Sequence, residues 1–290
     1  MVGVTSPGHK LGQMIGNFFE ELFAEDLTSF CNQHGFYCDR RGPRPRVRRT
    51  SRKVTWTDNE GNKHDLDYVI ERGGSDEKLG DPVAFLELAW RRYTKHSRNK
   101  TGELEGSLLH LRESYQSCRF VGAIVAGEYT NGGKNQLISH GITVLHVPFE
   151  TVATCFRQQG IELDYPEDAP DSLKRTVIER WEALSTRRLN AIKTALRKAI
   201  EQDYAEFKQE LEKSLLGRVT LVRILPLYGK EMVFSSVSDA VNAMTTFTSP
   251  ATRRFDFIRF EVQVRFANGD AIEGRFQDKD GAVKFIMMFA

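Results

Sequence analysis

The sequence predicts an α/β protein, a mixed central sheet flanked by helices, followed by a long helical region and a small α+β domain. Three observations carry that expectation. Apolar residues recur at helical spacing near the start, nearly unbroken apolar runs follow at Val83–Trp90 and Phe120–Ala126, and strict alternation appears at Ile258–Phe266. With 290 residues, 40% apolar and 28% charged, the chain has the composition of a folded protein long enough for more than one domain. The net charge of +2 means that any affinity for a polyanion must come from local clustering.

In chain order, Leu11, Ile15, Phe18, Phe19, Leu22, Phe23 and Phe30 place an amphipathic helix over about 10–34, and His34-Gly35 supplies its stop. A basic loop follows, with Arg40, Arg41, Arg44, Arg46, Arg48, Arg49, Arg52 and Lys53 interrupted by Gly42, Pro43 and Pro45. Val54 and Trp56 lead into the turn at 58–62, and Leu66, Tyr68 and Ile70 alternate on the return, which predicts a β-hairpin with Asp65 and Asp67 on one face. Beyond a Gly-rich loop, Val83–Trp90 is a third strand, 101–117 a helix, Phe120–Ala126 a strand covered on both faces, and Gly141–Val147 a strand ended by Pro148.

The segment 165–171 reads as a linker, and the stripe from Val177 through Trp181, Ile192, Leu196 and Tyr204 to Leu215 makes a helical region reaching Gly217. Its nearly heptad spacing suits packing as an arm or against a second copy. Strands are expected again at 221–227, 258–266 and 271–276, the last two joined at Asn268-Gly269, with short helices at 237–247 and 282–288. The expected domains are 1–165, 166–217 and 218–290. The glycines at 122 and 127 lack the spacing of a nucleotide-binding turn.

Cys31, Cys38, Cys118 and Cys155 show no paired metal-ligand spacing and read as thiols in a reducing cytoplasm. Met1–Lys10 has no signal-peptide core and no apolar run approaches a membrane span, so the cytoplasm is the expected location.

Two carboxylates stand out. Asp67 lies on the expected hairpin return, and Glu87 interrupts an apolar strand where an uncompensated charge is costly. Converging carboxylates hold a hard divalent cation, and the neighbouring basic stretch from Arg91 and Arg92 to Lys100 suits a phosphate backbone. Asp65 reads as a salt-bridge partner, and His64 and His96 as surface or hydrogen-bonding histidines.

Over about 10–150 this order of elements resembles the PD-(D/E)xK, or restriction-endonuclease-like, nuclease superfamily. Asp67 matches the motif aspartate, with Leu66 where proline often stands, and Glu87 matches the motif acid. Glu20 matches the helical glutamate, with Glu21 second. The motif lysine position holds Ala89; Lys95 is the first replacement and Lys100 the second, whereas Arg91 stays protonated and cannot act as a base.

The resemblance implies a Mg²⁺-dependent DNA endonuclease of restriction or defence type, with Mn²⁺ as an alternative ion. Asp67 and Glu87 would hold the metal, with Lys95 and Glu20 completing the catalytic set. Arg40, Arg41, Arg44, Arg46, Arg48, Arg49, Arg52, Lys53, Arg91 and Arg92 would grip DNA. The chain would act as a homodimer or as a subunit of a restriction or defence complex. Ala89 supports an alternative, a catalytically inactive DNA-binding or assembly subunit on the same scaffold. A third reading is an interaction protein built on the helices at 172–217.

Overall fold

The computed structural model describes residues 6–48, 51–227, 229–248 and 257–289. It is α/β, with a five-stranded mixed sheet and a separate four-stranded antiparallel sheet. The chain divides into two compact units, one of residues 1–111 and 120–209, the other of 112–119 and 210–290.

In the first unit, α1 (Pro7–Gln33) starts where the Ser6 hydroxyl accepts from the His9 amide and Pro7 has no amide to leave unpaired. Its apolar stripe, including Leu11, Ile15, Phe19 and Leu22, is buried. The central sheet runs β1 (Phe36–Arg40), β4 (Tyr68–Arg72), β5 (Asp81–Arg91), β6 (Phe120–Gly127) and β7 (Thr143–Pro148). Pairing is antiparallel from β1 to β5 and parallel from β5 to β7. The parallel pairs are reached through α2 (Thr94–Ser114) and α3 (Asn131–Ser139), as parallel strands require a crossover. Every residue of β6 is buried, as its continuous apolar run predicts.

Gly122 and Gly127 are packing residues. A side chain at 122 would strike the rings of Phe120 and Phe207; Gly127 adopts φ 100 against the Arg91 carbonyl.

The predicted hairpin is interrupted. β2 (Val54–Thr57) pairs with β3 (Lys63–Leu66) as a two-stranded ribbon, and the chain then bends at Asp67 before β4 enters the main sheet. The simple alternation through Leu66, Tyr68 and Ile70 therefore does not describe one strand. β1, α3 and α4 (Phe149–Arg157) are elements beyond those that the sequence pattern predicts.

The helical region is three helices, α5 (Asp171–Glu182), α6 (Thr186–Ala199) and α7 (Glu201–Leu216). Its residues up to 209 belong to the first unit and do not form a separate arm. Trp181 packs its ring 4.7 Å from Phe156 and 5.9 Å from Phe18, and Tyr204 lies 5.1 Å from Phe23. The stripe read as a dimer surface is thus buried within its own chain.

The second unit holds β8 (Val219–Pro226), β9 (Met232–Phe234), β10 (Phe260–Phe266) and β11 (Ala271–Phe276), in the order β11-β10-β8-β9. Phe260, Val262, Val264 and Phe266 turn inward with Val222 and Ile224, against α8 (Val237–Thr246) and α9 (Lys279–Met287). Among the described residues the cysteines form no disulfide, and no helix is long and apolar enough to cross a membrane.

Candidate functional site

The site grows from one pairing register. Tyr68 faces Leu86 and Val69 faces Phe85 across β4 and β5, so Asp67 and Glu87 are the next residues beyond the last registered pair. The bend frees Asp67 from the strand ladder, and its Oδ2 accepts the Leu88 amide at 2.6 Å. Tyr68 donates its hydroxyl to the Glu20 carbonyl, which fixes that turn of α1 beside the same point.

Glu87 is buried between apolar neighbours, and its Oε1 accepts from the Ser107 hydroxyl at 3.3 Å. Burial, with the Asp67 charge second, pushes its carboxyl up to about 8; Lys100 and Ser107 act in the opposite direction. Burial likewise pushes Asp67 up to about 7. The Leu88 amide opposes that shift, Glu20 adds to it, and Lys100 and Arg41 oppose it. Glu20 is also raised, chiefly by burial, with Arg41 lowering it from 3.8 Å. Glu87 thus feels the charges of Asp67 and Lys100, and Asp67 those of Glu20, Lys100 and Arg41.

The lysine in the cluster is Lys100. Lys95 pairs with Glu167 and is 61% exposed, whereas Lys100 is 21% exposed with its ammonium 3.4 Å from Glu103. Five positions along a helix turn the side chain through about 140°, so the two lysines take different faces. Ser107, seven positions after Lys100, returns to nearly the same face and reaches Glu87.

The basic loop separates into two groups. Arg44 is wholly buried: it forks onto Glu71 at 2.7 and 3.0 Å, meets Asp39 at 2.8 Å and donates to the carbonyls of Ser75 and Lys78. Arg48 holds Asp39 at 2.6 Å and donates to the Arg40 and Gly42 carbonyls. These two form the loop's internal frame and are not available for phosphate contact. The acids that balance them, Asp39 and Glu71, lie outside the basic stretch.

Arg40, Arg41 and Arg52 are exposed and line an open cleft of about 430 Å³ with Asn17, Glu20, Glu21, Asp67 and Tyr68. Arg46 is exposed near Glu77, and Lys53 pairs with Asp65 at 2.5 Å, in keeping with the structural reading of Asp65. Arg49 lies outside the described residues, as does the side chain of His96.

Arg91 lines a second cavity of about 570 Å³ that includes Trp90, Tyr93 and Lys100. Arg92 is locked over the Phe149 ring at 3.7 Å and bonded to Asp164 and the carbonyls of Leu163 and Tyr165, so it too is a structural arginine.

Asp67 and Glu87 each use one carboxylate oxygen in a hydrogen bond. Each retains a second carboxylate oxygen for which no hydrogen bond is described. The sequence reading did not assemble a second donor set, Asp58, His64 and His110. His110 lies far along the chain from the hairpin, so no spacing signalled it.

No protein-family model matches the chain, and no curated protein matches it. A similar solved structure is titled "Crystal Structure of Protein of Unknown Function AF1548". It is 12% identical over 66% of this chain and 99% of that chain, with a TM-score of 0.29, a likeness too distant to carry an argument.

Proposed function

We propose that the chain is a Mg²⁺-dependent DNA endonuclease of the PD-(D/E)xK, restriction-endonuclease-like type, acting in restriction or defence. The observation that carries this reading is the pair of acids Asp67 and Glu87, both raised by burial and by a neighbouring like charge, with Asp67 and Glu20 lining an arginine-rich cleft. Three acids with one nearby lysine leave a surplus of negative charge that a divalent ion neutralises.

Asp67 and Glu87 hold the ion, which when bound supplies polarisation of a phosphoryl group and a nucleophile at neutral pH. Glu20 adds negative charge on the open side of Asp67. Lys100 takes the place left by Ala89 and offsets charge developing on phosphorus. Arg40, Arg41 and Arg52 contact backbone phosphates and orient the duplex without reading its sequence. Assembly as a homodimer, or within a restriction or defence complex, would present two such sites to two strands.

The second reading is a DNA-binding subunit that does not cleave; Ala89 in the strand and the pairing of Lys100 with Glu103 favour it. Plasmid DNA incubated with Mg²⁺ or EDTA separates the two. Cleavage is expected with Mg²⁺, falling at least about 100-fold in Glu87→Ala and Lys100→Ala and persisting in Lys95→Ala. Binding without cleavage under Mg²⁺ or Mn²⁺ would decide for the second reading.

A further inference from the structure

The turn between β2 and β3 gathers donors of a different character. Asp58 organises that turn: Oδ1 accepts from the amides of Glu60 at 3.0 Å and Asn62 at 2.8 Å, and Oδ2 from the Asn62 side chain at 3.1 Å. The same Oδ2 lies 2.8 Å from Nε2 of His64 on β3 and 3.7 Å from Nδ1 of His110 on α2. One donor atom from each residue falls within 4.8 Å of the other two.

Two ligands of a tetrahedral ion, each bound at about 2.0–2.1 Å, stand about 3.3 Å apart. The observed 2.8 and 3.7 Å straddle that spacing. The hairpin itself accounts for Asp58 and His64, whose hydrogen bond closes the turn. His110 comes from a separate helix and brings a second imidazole to the same carboxylate oxygen. Asp58 is buried, His64 is partly covered and His110 is half exposed, so an ion has a route in from solvent.

We propose that Asp58, His64 and His110 bind one transition-metal ion of the zinc class, with solvent completing its shell, and that the ion ties the β2–β3 ribbon to α2. Two imidazoles and one carboxylate select Zn²⁺-like ions over Mg²⁺, whose preferred donors are oxygens. The site is thus chemically separate from Asp67 and Glu87 and does not depend on the nuclease reading. Through α2 it steadies the helix that carries Lys100 and Ser107.

The test is calorimetric titration of the chelator-treated full chain with Zn²⁺ alone, in a Glu87→Gln background so that the acidic cluster does not contribute the counted ion. Saturable binding of one Zn²⁺ per chain is expected. Adding His110→Ala should weaken it by more than the roughly 10–100-fold typical of losing an outer-shell partner. His64→Gln should do the same. In EDTA the His110→Ala chain should melt with its parent, and Zn²⁺ should raise the Tm of the parent alone. Absence of saturable binding, or unchanged affinity in both histidine variants, would overturn the proposal.

Discussion

Glu87 carries a pH-dependent stability cost written into one residue. Its neighbours in β5 are buried and apolar, and the charge beside it on Asp67 is of the same sign. A carboxyl raised to about 8 when folded, against 4.5 for an ordinary glutamate, holds its proton longer in the folded chain than in the unfolded one. Its contribution to stability is therefore complete below about pH 4, declines as pH rises and is lost by about pH 8. Asp67, raised to about 7, follows the same sign. Glu87→Gln should accordingly match the parent near pH 4 and exceed it by on the order of 2 kcal/mol at pH 8.5 without metal, measured by urea denaturation. On the proposed reading Mg²⁺ would displace those protons, so any stabilisation by Mg²⁺ should grow from pH 6 to pH 8.

At the scale of elements, helix α2 and the basic loop decide which charges are usable. Because α2 begins at Thr94, the expected basic tail is its first two turns, and helical geometry gives Lys100 rather than Lys95 to the acids. Folding of the loop around Arg44 removes some of its arginines from the surface. Arg44→Ala leaves Glu71 buried without its guanidinium and Asp39 with Arg48 alone, and should destabilise the chain by about 3–5 kcal/mol, read from chemical denaturation. Neutralising Arg40, Arg41 and Arg52 should leave stability within about 0.5 kcal/mol. It should also flatten the dependence of DNA affinity on salt by up to about three phosphate contacts. An unchanged salt slope would remove the cleft from the DNA interface.

At the scale of the molecule, α5 and α6 are part of the first unit because their apolar stripe meets rings on α1 and α4. Trp181 touches both Phe18 and Phe156, so Trp181→Ala should cost about 3–5 kcal/mol. The loss should appear as earlier unfolding, since the stripe faces inward. The second unit rests on its own inward alternation along β10 and the two helices over it.

The sequence by itself determined most element types, the fully covered strand β6, the hairpin at Asn268-Gly269 and the choice of Asp67 and Glu87 as the unusual acids. These are local properties: periodicity, turn chemistry and a charge inside an apolar run are all written within a few residues. Only the tertiary structure decided that the hairpin breaks at Asp67, that Arg44 and Arg48 answer Asp39 and Glu71, that the charge of Lys100 acts on Glu87 while Lys95 pairs with Glu167, and that His110 meets His64 and Asp58. Each of these depends on residues from different elements meeting, and chain spacing does not encode the distance at which they meet.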